Sequence, residues 1–370
     1  MINIKSSLIK LGDITMFSKG EQINGDLLIK DGQYDYLNGG INPSGKWNSY
    51  NVAGNTITIS EGGNSSGYVN YMSNNFWCGA HCYYLYNTLC DRKYLYYSLK
   101  SQQKRLMGIR SGACMPNIKK NDLANFMLKF HEDDKVQKKI AEIFTELDTC
   151  ISIKEKQLNN LTLFVKSRFI EMFGDPINNT KSLPLSLLID CCSKITDGTH
   201  DTPKRVEKGV LLITGKNIRE NGFKLDEVEY VSEEDHREIY KRCNPEMNDV
   251  LYTNIGVGYG TAMVNTLDFE FSMKNVALLK PKKDILTGHY LCMCLNLMRK
   301  NILDNNKCGG AQTFMGLATI KRIMIPLPEM KDQEAFFSLM QQVDKSKLAV
   351  QQSLDELETL KKSLMQQYFG

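Results

Sequence analysis

The sequence predicts an α+β protein of duplicated design: two similar mixed α/β units, separated by two long antiparallel helices that pair as an intramolecular coiled coil in a pseudo-two-fold arrangement. Three observations predict it. The chain has 370 residues, which suits two ordinary domains rather than one. The segment Gln137 to Gly174 aligns without gaps onto Gln333 to Gly370, 196 residues later. Outside those two segments, β-branched and aromatic runs outnumber helical ones.

The repeat contains eight identities: Gln137/Gln333, Asp148/Asp344, Leu158/Leu354, Leu161/Leu357, Lys166/Lys362, Ser167/Ser363, Phe173/Phe369 and Gly174/Gly370. Unrelated segments of that length share roughly two. Both copies carry apolar residues at steps of four and three. The first has Ile140, Phe144, Leu147, Ile151, Leu158, Leu161, Val165 and Met172; the second has Phe336, Met340, Val343, Val350, Leu354, Leu357, Leu364 and Tyr368. That spacing lays one apolar seam along a helix of about 38 residues, roughly 57 Å long. Each seam is interrupted by polar residues, Lys154 and Arg168 in one and Lys347 and Lys361 in the other. With the other copy as partner, these interruptions help select register. The competing expectation is that each helix covers its neighbouring globular unit.

The helices therefore divide the chain into a unit at 1–130, a helix at 131–176, a second unit at 177–330 and a second helix at 331–370. The units share further features. In each, a glycine-rich turn follows a strand-like run: Ile57-Thr58-Ile59 before Gly62, Gly63 and Gly67, and Val250-Leu251-Tyr252 before Gly256, Gly258 and Gly260. Each closes on Gly-Ala, at Gly112-Ala113 and Gly310-Ala311, followed by a short apolar strand. Helices are expected near Arg92 to Leu106 and near Leu286 to Leu303. A duplicated binding unit on a paired-helix spacer implies a bipartite target, because the helices fix the separation of two reading surfaces.

Composition bounds the rest. With 42% hydrophobic and 24% charged residues the chain reads as an ordinary globular protein. No apolar run reaches the roughly 18 residues that span a bilayer, and the start lacks a secretory stretch, so the expected location is the cytoplasm, with no membrane partner. Eleven cysteines, irregularly spaced, read as reduced thiols. Neither Cys78, His81, Cys82 nor Cys292, Cys294 has the paired spacing of a structural zinc site, so no metal is expected. A net charge of +4 permits nucleic-acid binding without demanding it.

Several motifs fail on inspection. Gly40-Ile41-Asn42-Pro43-Ser44-Gly45-Lys46 approaches a phosphate loop, but Trp47 stands where Ser or Thr must ligate magnesium. Gly256-Val257-Gly258-Tyr259-Gly260 lacks dinucleotide-binding spacing and reads as a loop near a ligand or a plain hairpin turn. His200 lies in a polar loop with no serine elbow or second histidine to make a catalytic set. Nuclease and adenine-methyltransferase motifs are likewise missing, and no catalytic residue is assigned.

What remains is loop chemistry suited to DNA, with Lys, Arg, Ser and Asn for phosphates and Arg, Lys, Asn and Gln for base edges. The candidates in the first unit are Ser44, Lys46, Asn64, Ser65, Tyr68, Lys104, Arg105 and Arg110. In the second they are Thr199, His200, Lys204, Lys216, Asn217, Tyr259, Lys274, Lys307 and Gln312. Taken singly, each is as readily a solvated surface residue.

Over essentially its full length the chain resembles the specificity subunits of Type I restriction-modification enzymes. The resemblance is carried by Leu11-Gly12-Asp13-Ile14, by Asp31-Gly32-Gln33-Tyr34, and by Gly39-Gly40-Ile41-Asn42-Pro43-Ser44-Gly45 in the first unit. It is stronger in Ile195-Thr196-Asp197-Gly198-Thr199-His200-Asp201-Thr202-Pro203 and Ile213-Thr214-Gly215-Lys216-Asn217-Ile218. Phe173-Gly174-Asp175-Pro176 and Phe369-Gly370 complete it. Cys78-Gly79-Ala80-His81-Cys82 departs from the Asn-Gln-His-like run more usual there.

The resemblance implies that each unit reads one half of a split double-stranded DNA target. It also implies two methyltransferase subunits as partners, supplying S-adenosylmethionine and adenine N6 methylation, and restriction subunits that use ATP and magnesium. This chain itself binds no cofactor on that reading. Two alternatives are the recognition part of a single-chain restriction-methylation enzyme, disfavoured by the second helix closing at Gly370, and a DNA-binding protein that acts without partners. Mild basicity weighs against the second, because few cations release few counterions.

Overall fold

A computed structural model describes residues 5–112, 116–220, 222–256, 258–305 and 314–370. The chain divides into two compact units: Met1–Gln157 with Val350–Gly370, and Leu158–Ala349. Each long helix thus contributes one part to each unit.

The first unit runs β1 Ser6–Lys10, α1 Leu11–Ile14, β2 Met16–Lys19, β3 Tyr34–Leu37, β4 Gly45–Trp47, β5 Thr56–Ser60 and β6 Val69–Met72. It continues with β7 Phe76–Cys78, β8 Cys82–Tyr86, α2 Arg92–Ser101, α3 Gln103–Gly108, α4 Lys120–Ala124, β9 Met127–His131 and α5 Asp134–Phe173. A four-stranded sheet in the order β2-β8-β5-β6 faces a three-stranded one, β4-β3-β7, in which β3 and β7 are parallel. All five residues of β5, Thr-Ile-Thr-Ile-Ser, are buried, because this strand has neighbours on both edges and a helix over one face. Asp91 starts α2 by accepting the Tyr94 N–H at 2.8 Å, a cap that ties down one of the otherwise unsatisfied donors of the first turn. The string that approaches a phosphate loop runs into strand β4, not into a helix.

The second unit begins with β10 Leu185–Leu187, α6 Leu188–Cys191, β11 Cys192–Asp197, β12 Val210–Thr214, β13 Ile218–Arg219, β14 Gly222–Phe223 and β15 Glu229–Val231. Then come α7 Glu233–Arg242, β16 Val250–Tyr252, β17 Ala262–Val264, β18 Ser272–Lys274, β19 Ala277–Pro281, α8 Gly288–Asn305, α9 Leu317–Lys321, β20 Met324–Pro326 and α10 Met330–Phe369. Its four-stranded sheet is β11-β19-β16-β17 and its three-stranded sheet β15-β12-β18, with β12 and β18 parallel. Strand for strand this is the order of the first unit, with the hairpin β13-β14 and helix α7 inserted among the described residues.

Both long helices have 40 residues. Every residue of the two predicted seams is buried or half-buried. Within the first unit the beginning of α5 meets the end of α10: Phe144 stacks on Phe369 with centroids 5.9 Å apart, and Lys361 pairs with Asp148. Within the second unit the end of α5 meets the beginning of α10, with Phe169 edge-on to Phe336 at 5.4 Å. Within each unit the two helix segments therefore run antiparallel, as the duplicated seam predicts. The same faces also cover the globular bodies, since Phe144 packs on Tyr97 and Phe169 on Tyr290. The two expectations for the seam hold together, because each aromatic knob is large enough to touch both a helix and a sheet-covering helix. Among the described residues no helix is long and apolar enough to cross a membrane.

Candidate nucleic-acid interface

In each unit the parallel strands of the smaller sheet direct their carboxyl ends to one side, where connecting loops gather. The first strand of the larger sheet arrives at the same side through a glycine. Glu21 N–H donates to the Cys78 carbonyl and Thr199 N–H to the Met273 carbonyl, both at 2.9 Å. A Cβ on Gly20 would lie 1.8 Å from the Cys78 oxygen, and one on Gly198 2.1 Å from the Met273 oxygen. Two backbones approach there as only glycine allows.

The two glycine-rich turns join β5 to β6 and β16 to β17, and they are built on one hydrogen-bond frame. In the first, Ser60 N–H donates to Tyr68 O at 2.9 Å, Gly67 N–H to Ser60 O at 2.8 Å, Ser66 N–H to Gly63 O at 3.0 Å and Tyr68 N–H to Ser65 O at 2.8 Å. In the second, 193 residues later throughout, Thr253 donates to Thr261 O at 2.9 Å, Gly260 to Thr253 O at 2.7 Å, Tyr259 to Gly256 O at 3.1 Å and Thr261 to Gly258 O at 2.9 Å. Gly63 and Gly256 occupy matching left-handed positions at φ +75° and +74°, with open space where a side chain would stand.

Around the first turn, Ser65 Oγ donates to Gly39 O at 2.6 Å, and Asn70 reaches Ile41 O at 3.2 Å. These bonds fasten the 39–44 loop beside the turn. Ser44, exposed, donates its N–H to Tyr36 O at 2.8 Å. Arg110 donates to Asn64 O at 3.4 Å, and the Lys100 ammonium lies 3.8 Å from the Tyr68 ring centroid. Asn64, Ser65, Tyr68, Arg110 and the Ser44 loop thus come together. Lys46 does not join them: paired opposite Asp35, it lines a separate polar cavity of about 520 Å³ with Gln33, Asn74 and Asn75. Arg105 is held elsewhere, donating to Met127 O and lying over the Phe126 ring, while Lys104 is exposed on α3.

At the equivalent side of the second unit, Thr199 bridges to Lys274, whose ammonium donates to Thr202 Oγ1 at 2.5 Å. His200 places Nε2 2.6 Å from Asp197 Oδ2 and Nδ1 3.2 Å from Asn275 Oδ1. Lys204 and Lys216 are exposed. The site where Gly258 would carry a Cβ is 3.6 Å from Gly215 O, which sets the glycine turn beside the Lys216 segment. Asn217 turns inward: its Oδ1 accepts from Thr214 N–H and its Nδ2 donates to Lys224 O and Glu227 O at 3.0 and 3.2 Å. Its side chain shapes the loop from below and is only 3% exposed. Tyr259 is half-buried, its carbonyl accepting two bonds from Arg299 at 2.9 and 2.7 Å. Lys307 and Gln312 lie outside the described residues.

Sequence reasoning missed Asp197 and Arg242. Asp197 is 3% exposed, and its Oδ1 accepts from Arg242 at 2.5 Å while Oδ2 faces His200. The Asp-Gly-Thr-His string carried a signal for one pair, since a carboxylate three residues before a histidine is within reach across a turn. No spacing rule points to Arg242, which arrives from α7. The first unit assembles a similar trio from other positions: Glu61 pairs with Lys19, and His81 Nδ1 stands 3.7 Å from Glu61 Oε2. Beside it the Tyr83 phenol, pushed up to about 12 by burial first and by Glu61 second, stays protonated and donates to Ile118 O at 3.2 Å.

A family model described as the Type I restriction modification DNA specificity domain matches residues 3–163 and again 207–359. A Mycoplasma genitalium protein named as a type I specificity subunit is 24% identical over 365 residues, covering 95% of this chain and 90% of that protein. A Mycoplasma pneumoniae protein with the same kind of name is 34% identical over 165 residues, covering 43% of this chain and 43% of that protein. Among solved structures, the S subunit of a Type I restriction-modification system from M. genitalium superposes with a TM-score of 0.70 at 21% identity, over 100% of this chain and 97% of that one. A chain from a type I R-M system, solved in connection with complex assembly and conformational transition, gives a TM-score of 0.59 at 13% identity, over 100% and 99%.

Proposed function

We infer the function from the family: this chain belongs to the Type I restriction-modification DNA specificity family. It is the DNA sequence-specificity subunit of such a system. Each unit reads one half of a bipartite double-stranded target, the helices set the gap, and catalysis belongs to the methyltransferase and restriction subunits that it brings to the DNA. The observation that carries this is the repeated turn frame of Ser60–Tyr68 and Thr253–Thr261, one backbone scaffold furnished with different side chains in the two units. A shared scaffold with different edges suits two reading heads for two different half-sites.

The domain division 1–130, 131–176, 177–330 and 331–370 belongs to this reading, as does a complement of two methyltransferase subunits, one for each half. S-adenosylmethionine, ATP and magnesium are assigned to the partners, and cytoplasmic DNA is the setting. The contact set centres on Ser44, Asn64, Tyr68 and Arg110 in the first unit and on Thr199, His200, Lys204, Lys216 and Lys274 in the second. Lys, Arg and backbone N–H groups position the duplex, while His200, Asn64 and Tyr68 have the donors and faces to reach base edges.

The test is co-expression with the methyltransferase subunits of its system, followed by base-resolution mapping of N6-methyladenine. A split motif of fixed gap that disappears when this chain is deleted is the expected result. Methylation of an unsplit motif, or of none, would overturn the reading.

A further inference from the structure

We propose that Asp197 is a positioning residue for DNA reading by the second unit, holding His200 and Arg242 in the orientation in which they meet the duplex. This rests on the specificity-subunit reading above and names a residue that does not itself reach the DNA.

Asp197 closes β11 with its side chain 5% exposed and both oxygens occupied, one by His200 and one by Arg242. A carboxylate so enclosed is costly without partners, and charge-assisted bonds at 2.6 and 2.5 Å offset that cost. The partners are held on their inner sides only, for the His200 and Arg242 side chains remain 45% and 51% exposed. His200 is clamped from both edges of its ring, since Asn275 stands 3.2 Å from Nδ1. Asn275 occupies the left-handed region at φ +55°, a conformation that asparagine tolerates better than most residues. A side chain fixed before binding loses less freedom when it binds, which favours discrimination between bases over mere attraction.

The neighbourhood fits the role. Lys274 and Thr199 are bridged next to this cluster, and exposed Lys204 follows four residues after His200. These cations suit phosphates on either side of a base-reading imidazole and guanidinium. The first unit shows what a looser version looks like: His81 is 63% exposed and 3.7 Å from its carboxylate, Glu61.

The experiment maps N6-methyladenine in cells that express the full chain with its methyltransferase, comparing wild type with Asp197→Asn, His200→Gln and their double variant. Asp197→Asn and His200→Gln are expected to relax the same half of the split motif, with about tenfold weaker discrimination at one or two positions and the other half retained. The double variant is expected to lose no more than the stronger single one, as befits a residue that acts through another. Relaxation by His200→Gln with an unchanged motif in Asp197→Asn would overturn the positioning role, and an unchanged motif in both would overturn the site. If Asp197→Asn abolishes methylation outright, Asn275→Gly decides, because it loosens the ring without stranding a charge. Relaxation of that same half then supports the proposal, and a wild-type motif overturns it. Absence of any split motif from wild type would instead overturn the specificity reading beneath.

Discussion

Gln137 and Gln333, 196 residues apart, perform one task twice. Each side-chain oxygen accepts a backbone N–H at the start of a helix, Asp91 at 3.1 Å and Thr287 at 2.8 Å. Each amide nitrogen donates back to the segment just ahead of its own long helix, Gln137 to His131 O at the end of β9 at 2.7 Å and Gln333 to Pro328 O at 3.0 Å. Both side chains are essentially inaccessible, so an amide that satisfies backbone groups from two directions staples each long helix to the body of its unit.

Replacing either glutamine by alanine leaves those buried groups without partners. Gln137→Ala and Gln333→Ala are each expected to destabilise by about 1–3 kcal/mol. Thermal unfolding checks this; wild-type midpoints in both variants would refute the staple.

A second matched pair sits at the helix ends. Phe369 packs on Tyr94 with centroids 5.5 Å apart, and Phe173 on Tyr290 at 4.9 Å, with Tyr94 and Tyr290 themselves 196 residues apart. Phe369→Ala and Phe173→Ala are each expected to cost about 3–5 kcal/mol. Trp47 and Trp77, the chain's two tryptophans, both belong to the first unit. Tryptophan fluorescence should therefore register the loss from Phe369→Ala more strongly than that from Phe173→Ala, and equal shifts would contradict the assignment of each aromatic to its own unit.

The glycines divide by what surrounds them. Gly256→Ala meets open space and is strained only by its left-handed backbone, at about 1–2 kcal/mol. Gly198→Ala drives a methyl into the Met273 carbonyl and is expected to disrupt the second unit outright. Circular dichroism melts rank the two, and a milder effect at Gly198 would show that the strand-end crossing can give way.

Acid should weaken the first unit through His131. Burial, with a smaller contribution from Lys129, lowers its pKa below the ordinary 6.5. The Tyr94 hydroxyl lies 2.8 Å from Nδ1 and accepts the His131 backbone N–H at 3.0 Å, which leaves its own proton free to be donated to a neutral ring. The unfolded chain takes up this proton more readily than the folded one, so stability is at its full value above the unfolded pKa and falls as pH drops below it, levelling once the folded pKa is passed. His289, lowered by burial against the pull of Asp344, adds the same trend in the second unit. Melting temperatures between pH 7.5 and pH 5 should fall less steeply in His131→Gln; parallel curves would exclude this histidine as a source.

Much of this was legible in the sequence, because helices announce themselves by local periodicity. The seam from Ile140 to Met172 and its copy from Phe336 to Tyr368 located both 40-residue helices and their pairing. The identities Gln137/Gln333 and Phe173/Phe369 marked the residues that fasten them. Glycine spacing likewise located the two turns, since left-handed positions such as Gly63 and Gly256 restrict which residue can stand there.

Strand order was beyond the sequence, because pairing such as β3 with β7 joins residues some 40 apart through contacts that no local pattern encodes. The same holds at the candidate interface. By itself the sequence determined that a polar loop carries His200 and that cations lie nearby. Only the tertiary structure decided that Asn217 turns inward, that Lys46 faces another cavity, and that Asp197 grips both His200 and Arg242. The physical reason is that the orientation of a side chain depends on what lies beneath it, and those partners come from strands and helices distant in the chain.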